Sequence, residues 1–309
     1  MNGKPVYPDF IKQYITERTA WKGAIAMKTG LVLEGGALRT IFSSGVCDAM
    51  LEGNVMADYV IGVSAGIAYG VSYVSRQPRR NLEILTRYAN DRRYMGMNNL
   101  ADKKNRSYFG LEFAYQTIPN ELVPFDYEAF EAYPGRVEAV LTDLETGEAS
   151  YQEVPRRDEK FLVLQATCAL PLMFPVFHIG GGSYLDGGAA DSIPYERAFA
   201  QGCDQVMAVL TKPRDFVRRP EKLMPLIRRK YRQYPNFCRA MEERPRRYNE
   251  SRERLFQLER EGRALVIAPD STLGVSRIER DTEKLKLLWA EGYQMAVDRM
   301  EEIREFFSR

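Results

Sequence analysis

The chain has 309 residues, of which 45% are hydrophobic and 28% charged, so it can bury a substantial core, and disordered and fibrous classes are excluded. Its 44 Lys and Arg residues nearly balance its 42 Asp and Glu residues, and the net charge of +2 identifies no class of partner. The single histidine, His178, excludes three-histidine zinc sites and His-Glu-x-x-His metalloproteases.

Residues 1–28 are predicted to be an N-terminal extension, and residues 29–309 are assigned to the folded domain. The extension lacks the apolar stretch of a secretory signal. The sequence contains no run of 18 apolar residues, so no transmembrane helix is predicted. The cysteines lack C-x-x-C spacing, so we expect reduced, mostly buried thiols in a cytoplasmic protein. They are Cys47, Cys168, Cys203 and Cys238.

Strands and helices are predicted to alternate over the first 80 residues. A short apolar run over residues 29–34 predicts a buried strand that enters the Gly35-Gly36 loop, and residues 59–61 predict a second strand. Apolar periodicity predicts helices over residues 41–52 and 67–75. This order is typical of an α/β protein with a parallel sheet and helices on both faces.

Two hairpins and further helices are predicted in the middle of the chain, because glycine-containing turns separate pairs of short apolar segments. The predicted hairpin strands are residues 137–141 with 149–152 and residues 176–179 with 184–185; the predicted helices are residues 159–169 and 194–201, and a strand follows over residues 205–210.

Residues 212–263 differ in charge from the rest of the chain. They contain 17 Lys or Arg and 8 Asp or Glu residues, a local net charge of +9 that leaves −7 for the remainder. A solvated helical face with ion pairs four residues apart is the favoured interpretation. Attraction to an anionic membrane surface or headgroup ranks second, and nucleic-acid binding, which we do not expect, ranks last. Helix breaks are predicted at Pro220, Pro225, Pro235 and Pro245.

The C-terminal residues are predicted to return to a strand over 264–268 and to end in a helix capped by Asp281. We therefore expect one domain with a helical insertion over residues 212–263. The apolar face of the last helix comprises Leu285, Leu288, Trp289, Ala296, Met300, Ile303 and Phe307.

A Gly-x-Ser-x-Gly pattern over residues 62–66 makes Ser64 a candidate nucleophile. It follows a predicted strand and opens a predicted helix, as a nucleophile elbow requires. A sharp turn there projects the hydroxyl away from the sheet, Gly62 and Gly66 let the turn close, and the helix N-terminus favours negative charge. The alternative is an ordinary glycine-rich connection.

The loop over residues 34–40 is a candidate oxyanion hole, because backbone N–H groups of glycine-rich loops at helix N-termini bind anions. It is not a P-loop, and Ala37 and Thr40 fit the dinucleotide-binding pattern poorly. Adjacent parallel strands would bring the loop amides beside Ser64 Oγ. Arg39 either anchors the anion or is a solvated residue of the first helical turn.

Two residues are candidates for the base that activates Ser64. Asp186 precedes Gly187-Gly188 on a tight turn that allows close backbone approach, although turn aspartates are common. His178 lies in a short predicted strand, where a lone histidine is more often structural. With Asp143 it would complete a triad in the chain order of α/β-hydrolases.

The motifs of the chain resemble, in the same order, those of the patatin-like phospholipase family. The likeness covers about residues 31–210 and continues less specifically to about residue 290. It implies a three-layer α/β/α fold with a mostly parallel central sheet and an additional helical region. The motifs are Gly35-Gly36-Ala37-Leu38-Arg39, Gly62-Val63-Ser64-Ala65-Gly66, Ala166-Thr167-Cys168-Ala169-Leu170-Pro171 and Asp186-Gly187-Gly188.

The resemblance implies a lipid acyl hydrolase with a Ser-Asp dyad, in which Ser64 is the nucleophile and Asp186 the base. It assigns the oxyanion hole to Gly35, Gly36 and Ala37 and requires no metal or cofactor. The expected partner is an acyl ester or phospholipid. The basic segment would add peripheral contact with a membrane surface.

The sequence departs from the family's glycine-rich loop at Ala37 and Thr40. Alanine still donates its N–H if its φ is allowed, and threonine is an acceptable helix cap. Two other interpretations stay open: a Ser-Asp-His α/β-hydrolase, and a catalytically inactive lipid-binding relative.

Overall fold

The computed structural model describes residues 28–309, so the predicted N-terminal extension lies outside the described residues except for Lys28. Within this range eight strands form one sheet. They are β1 (Thr29–Leu33), β2 (Tyr59–Val63), β3 (Arg136–Asp143), β4 (Ala149–Glu153), β5 (Phe177–Ile179), β6 (Gly182–Asp186), β7 (Gln205–Val209) and β8 (Ala264–Ile267).

The sheet order is β5-β6-β3-β2-β1-β7-β8, with β4 paired to β3. The pairs β3–β2, β2–β1, β1–β7 and β7–β8 are parallel. Strands β1, β2, β7 and β8 are short apolar segments buried along their whole length, as expected for strands covered on both faces. The predicted parallel sheet is therefore confirmed.

Both predicted hairpins are present as antiparallel pairs. Strand β4 pairs with β3, and β5 pairs with β6. Strand β6 also pairs antiparallel with β3, with Leu141 opposite Asp186. This pairing brings the end of β6 to the carboxyl end of the parallel strands, one strand away from β2.

Helices cover both faces of the sheet, which confirms the predicted three-layer architecture. They are α1 (Ile41–Glu52), α2 (Ala65–Val74), α3 (Arg80–Tyr88), α4 (Met97–Ala101), a π-helix (Phe113–Leu122), α5 (Tyr127–Ala132), α6 (Leu162–Thr167), α7 (Tyr195–Ala200), α8 (Met224–Lys230), α9 (Pro235–Arg260), α10 (Thr282–Asp298) and α11 (Met300–Ser308); 3-10 turns cover Ala37–Thr40 and Gly187–Ala189.

The side chains of β1 alternate between two apolar layers, one on each face of the sheet. Leu31 and Leu33 belong to the layer that contains Phe42. Val32 belongs to the opposite layer, which contains Tyr195 of α7 and Leu255 of α9. The central strand therefore holds both helical layers.

The predicted helix break at Pro245 is wrong, because this residue lies inside α9, which is 26 residues long in all. A proline inside a helix removes one backbone hydrogen bond. Burial of Met241, Tyr248 and Leu255 along the same helix offsets that loss. Pro225 and Pro235 lie in the first turns of α8 and α9, where proline is tolerated.

The single C-terminal helix predicted from the sequence is divided at Arg299. Asp281 caps α10 as predicted, accepting from the N–H of Glu283 at 3.0 Å. Arg299 has φ −106° and ψ 15°, outside the helical range. Its guanidinium donates to the carbonyl of Val266 at 3.0 Å and to Glu302 at 2.8 Å. These contacts stabilise the break.

Helices α1 and α10 pack backbone against backbone at two glycines. A Cβ at Gly45 would collide with the carbonyl oxygen of Trp289, and a Cβ at Gly292 would collide with that of Phe42. The close approach depends on the absence of side chains at both positions. Helix α10 thereby belongs to the same core as the N-terminal half.

We predict that Gly45→Ala lowers the free energy of unfolding by about 1–3 kcal/mol, because the added methyl group forces the two helices apart. Urea unfolding of the full chain measures this difference. The matched control, Ala290→Ser, adds one atom on the exposed side of α10 and changes the stability by less than about 0.5 kcal/mol. Equal stability of Gly45→Ala and the original chain would contradict the close packing.

Candidate active site

Ser64 lies between β2 and α2, at the carboxyl edge of the parallel strands. Its backbone has φ 55° and ψ −134°, which is strained for a residue other than glycine. A Cβ at Gly66 would collide with the carbonyl oxygen of Leu33, and one at Gly62 would lie 2.8 Å from the nitrogen of Ile67. The sharp turn therefore closes only with these two glycines.

Thr167 holds the strained turn in place from helix α6. Its Oγ1 accepts a hydrogen bond from the backbone N–H of Ser64 at 2.9 Å and donates to the carbonyl of Val140 at 2.6 Å. All three groups are buried. Thr167 lies in a sequence motif, but no local pattern assigns it this positioning role, because its partners are 103 and 27 residues away.

The glycine-rich loop lies directly beside Ser64, because β1 and β2 are adjacent parallel strands. A Cβ at Gly35 would lie 2.6 Å from the carbonyl oxygen of Val63 and 2.9 Å from Ser64 Cβ. Gly36 and Ala37 begin the 3-10 turn, where the first N–H groups have no acceptor within the turn. This is the neighbourhood that the sequence predicts for the loop.

Ala37 and Thr40, the two residues that depart from the family's glycine-rich loop, differ in backbone conformation. Ala37 has φ 50°, in the left-handed region that favours glycine. Thr40 occupies the N-cap position of α1, where threonine is acceptable. Its side chain makes no capping hydrogen bond, because the backbone angles are helical and Oγ1 is buried without a partner among the described residues.

Glu34 anchors the glycine-rich loop to the C-terminal half of the chain. Its carboxylate accepts from Tyr248 Oη at 2.5 Å and from the backbone N–H of Thr211 at 2.6 Å. The Thr211 hydroxyl donates to the carbonyl of Gly35 at 3.2 Å. Loop 34–37 is thus tied to residues after β7 and in α9.

Asp186 ends β6, and three hydrogen bonds position it. Its Oδ1 accepts from the N–H of Gly188 at 2.8 Å, its own N–H donates to Ala169 at 2.9 Å, and its carbonyl accepts from Thr142 Oγ1 at 2.8 Å. Gly187 must lack a side chain, because a Cβ there would collide with the backbone of Val140. The carboxylate is therefore held in one orientation.

The environment of Asp186 favours a proton acceptor. Burial raises the pKa of its carboxyl above the ordinary range, while the charge of Arg244 and the hydroxyl of Ser64 oppose that rise. The Oδ2 atom is buried and accepts no hydrogen bond of good geometry from the described chain. The Ser64 hydroxyl nevertheless lies close enough to the carboxylate to favour its charged form, and catalytic hydrogen bonds often tighten only when substrate binds.

Ser64 and Asp186 line one cavity together with the glycine-rich loop. Three arginines that local sequence patterns did not single out, one before α8, one in α9 and one before α10, also line it. The residues around this cavity are Gly35, Gly36, Ala37, Arg39, Val63, Ser64, Leu170, Asp186, Gly188, Ser192, Arg218, Arg244 and Arg277.

A second, mainly apolar cleft adjoins Ser64 and encloses a cavity volume of about 120 Å³. Much of its wall comes from residues 80–125, a run of short helices that no sequence pattern had predicted. The π-helix contributes Tyr115 and Ile118, and such helices are frequent at functional sites. Ala37, Ser64 and Leu170 line both this cleft and the arginine-lined cavity.

The four cysteines are unpaired, as predicted, and Cys168 is the one closest to the site. Burial raises the pKa of its thiol to about 12, so the group is neutral at physiological pH. A neutral thiol is a weak nucleophile. Ser64 therefore remains the candidate nucleophile of the cleft.

His178 and Asp143 line neither cavity that contains Ser64. His178 lies on the edge strand β5 with an exposed side chain, and its Nδ1 is 3.1 Å from Ser183 Oγ. Asp143 accepts from the N–H groups of Glu145 and Thr146 in the β3–β4 turn, both at 2.9 Å. The structure does not bring these two residues to Ser64 as a triad.

Residues 212–263 divide into an ion-paired surface and an inward-facing part. Arg246 pairs with Glu250 at 2.8 Å, four residues apart, as the favoured interpretation predicts. Arg252 is buried and donates to the carbonyl of Pro213 at 2.6 Å. Local charge counts do not distinguish the two kinds of arginine.

Among residues 28–309, no group of three or more His, Cys, Asp or Glu side chains is arranged to hold a metal ion. No helix of the described chain combines the length and the apolar composition needed to cross a bilayer.

A family model described as patatin-like phospholipase matches residues 31–199, and a model of a domain of unknown function matches residues 234–308. Escherichia coli K12 has an uncharacterized protein, YjjU, that is 24% identical over 208 residues, 63% of this chain and 55% of that protein. The crystal structure of VipD from Legionella pneumophila is 13% identical with a TM-score of 0.44, and the match covers 90% of this chain and 67% of that one. The chain thus spans about half the length of YjjU.

We predict that Thr167→Val lowers the free energy of unfolding by about 2 kcal/mol, because the buried N–H of Ser64 and the carbonyl of Val140 both lose a partner. Chemical denaturation of the full chain measures the loss. Thr272→Val is the control, since Thr272 is only half-buried, and a change below about 0.5 kcal/mol is expected there. Similar losses in both variants would contradict the positioning role of Thr167.

Proposed function

This chain belongs to the patatin-like phospholipase family, a family of lipid acyl hydrolases, and on that premise we propose that it is a serine esterase acting on lipid acyl esters through Ser64 and Asp186. One observation carries the proposal. Ser64 lines the cavity that contains Asp186 and also lines the adjoining apolar cleft.

In the proposed reaction, Asp186 accepts the hydroxyl proton of Ser64 while Oγ attacks the ester carbonyl carbon. The tetrahedral intermediate collapses, its bond to the alcohol oxygen breaks, and the alcohol leaves with the proton from Asp186. Water then attacks the carbonyl carbon of the acyl-serine, with Asp186 again accepting the proton. The bond from that carbon to Oγ breaks, Asp186 returns the proton to Oγ, and the fatty acid is released. The buried carboxylate and its fixed orientation support this role.

The oxyanion is proposed to bind the amides of Gly35, Gly36 and Ala37. Their position beside Ser64 supports this assignment, and each such donor is worth about 3 kcal/mol in the transition state. Ala37 adopts the backbone region that glycine favours, so the alanine keeps its N–H in the loop at the expense of some backbone strain.

The acyl chain is proposed to occupy the apolar cleft. The cleft adjoins Ser64 and is lined mainly by apolar side chains, as ligand sites usually are. Aromatic and aliphatic side chains such as Phe109, Leu164 and Phe174 line it. Burial of each methylene there contributes about 0.8 kcal/mol, so long chains are favoured over short ones.

We also propose that residues 29–309 act as one domain and that the basic segment adds peripheral contact with a membrane surface. Strand β8 completes the sheet beside β7, which supports the single domain. Exposed Val217, Leu223 and Leu226 lie among exposed basic residues. Such a mixture is suited to an anionic bilayer surface.

Ser64→Ala and Asp186→Asn are each expected to lower kcat/KM for p-nitrophenyl butyrate at least about a thousandfold, because nucleophile and base act as a unit. Ser64→Ala also abolishes labelling by a fluorophosphonate. His178→Ala is the matched control and keeps both activities. Loss in Ser64→Ala and His178→Ala with an active Asp186→Asn would favour the α/β-hydrolase triad, and an inert original protein would favour a lipid binder.

The acid limb of the kcat/KM profile is expected above the ~4 typical of an exposed aspartate. Asp186 must be ionised to accept the proton, and burial raises its pKa, so activity is lost as the pH falls through that raised value. Arg244→Gln removes a charge that favours the ionised form and moves the limb to higher pH. Arg229→Gln, on the exposed surface of α8, leaves it in place. An acid limb that does not move in Arg244→Gln would contradict Asp186 as the base.

A further inference from the structure

We propose that Arg39, Arg218, Arg244 and Arg277 form a phosphate-binding subsite next to Ser64, so that the preferred substrates are acyl esters that carry a phosphomonoester close to the scissile bond. This inference rests on the proposed function and adds the headgroup class. The four side chains line the cavity that contains Ser64, and Asp186 is the one carboxylate among the described residues that line it.

Four separate segments supply these arginines. Arg39 follows the glycine-rich loop, Arg218 lies between β7 and α8, Arg244 is in α9, and Arg277 lies between β8 and α10. Their convergence is a tertiary feature that no charge run in the sequence reveals. Each of the four segments thus contributes one positive charge to the same cavity.

Within residues 28–309 the four guanidinium groups make no hydrogen bond and no ion pair. The Nε atoms of Arg39, Arg218 and Arg244 are buried and make no hydrogen bond to the described chain. Within residues 28–309 none of the four arginines has an ion pair within 4.0 Å. Buried donors without acceptors are unfavourable, and a phosphate offers the acceptors that arginine matches best.

The cations are close enough to repel one another. Burial, followed by the charge of Arg277, lowers the pKa of Arg39 to about 10. Burial, followed by the charge of Arg218, lowers the pKa of Arg244 to about 9. An anion between them would relieve this repulsion, and a dianion more than a monoanion.

The nearby carboxylates do not neutralise the cluster. The charge of Glu34 raises the pKa of Arg39, and that of Asp186 raises the pKa of Arg244, but burial and the neighbouring arginines outweigh both effects. The charge of Glu221 raises the pKa of Arg244, but the two side chains form no ion pair. The ring of Tyr248 lies 4.0 Å from the guanidinium of Arg218 and orients it without cancelling its charge.

The two cavities fit an amphiphilic ester. Ala37, Ser64 and Leu170 line both the apolar cleft and the arginine-lined cavity. A chain in the cleft and a phosphate among the arginines therefore place the connecting ester at Ser64. Since Arg218, Arg244 and Arg277 lie outside the family match over residues 31–199, headgroup recognition is assigned to the C-terminal part, which includes the domain of unknown function.

The test compares kcat/KM of the full chain for three esters with one oleoyl chain: 1-oleoylglycerol 3-phosphate, 1-oleoylglycerophosphocholine and 1-oleoylglycerol. We expect the phosphomonoester to be preferred over the neutral ester by about tenfold to a hundredfold, the range for hydrogen bonds to charged groups. Arg277→Gln and Arg244→Gln each lower this preference about tenfold. Arg304→Gln, at an exposed arginine of α11 outside the basic segment, leaves it unchanged.

Free phosphate and the lipid headgroup are separated by a second measurement. Inorganic phosphate and glycerol 3-phosphate are titrated into Ser64→Ala protein in a calorimeter, which needs no turnover. Binding that weakens at least about fivefold in Ser64→Ala/Arg277→Gln supports the subsite. Phosphate binding without any preference for the phosphomonoester lipid would overturn the headgroup assignment.

The failures of the two proposals are distinguishable. If fluorophosphonate labels Ser64 and all three esters react equally, the phosphate subsite is wrong and the esterase stands. If no ester reacts and no label is incorporated, the proposed function is wrong. Absence of phosphate binding to Ser64→Ala protein overturns the subsite in either case.

Discussion

The parallel pairing of β1 with β2 is the contact on which the site depends. Parallel strands end at the same edge of a sheet, so the loop after β1 and the turn after β2 meet there. Strand β7 pairs with the other side of β1, and Thr211, two residues after β7, donates to Glu34. One central strand therefore positions both the glycine-rich loop and its support.

Two strained residues mark this edge, and buried hydrogen bonds hold them. Ser64 and Ala37 both have positive φ without being glycine, a conformation that persists where the surroundings over-determine it. Thr167 bonds the N–H of Ser64, and the Glu34–Tyr248 pair fixes the strand end before Ala37. Strain and rigidity together favour a site whose donors are in place before substrate arrives.

The C-terminal third of the chain packs against the N-terminal half and contributes residues to the site. Helix α10 packs against α1 through Gly45 and Gly292, and α9 contributes Tyr248 to Glu34. The +9 segment thereby divides its charges between surface ion pairs and the cavity. The net charge of only +2 gives no sign of the arginine-lined cavity, because the acidic residues that balance its charge lie elsewhere in the chain.

The amino-acid sequence by itself determined the strand–helix order, both hairpins, the parallel sheet and the three-layer class, because these follow from apolar periodicity and glycine turns within short segments. It also singled out Ser64, Asp186 and the glycine-rich loop, whose motifs are local. Only the tertiary structure decided that Thr167 holds Ser64, 103 residues away, and that Tyr248 holds Glu34, 214 residues away. The apolar cleft and the arginine cluster likewise depend on contacts between segments far apart in the chain, and no local pattern encodes which distant side chains will meet.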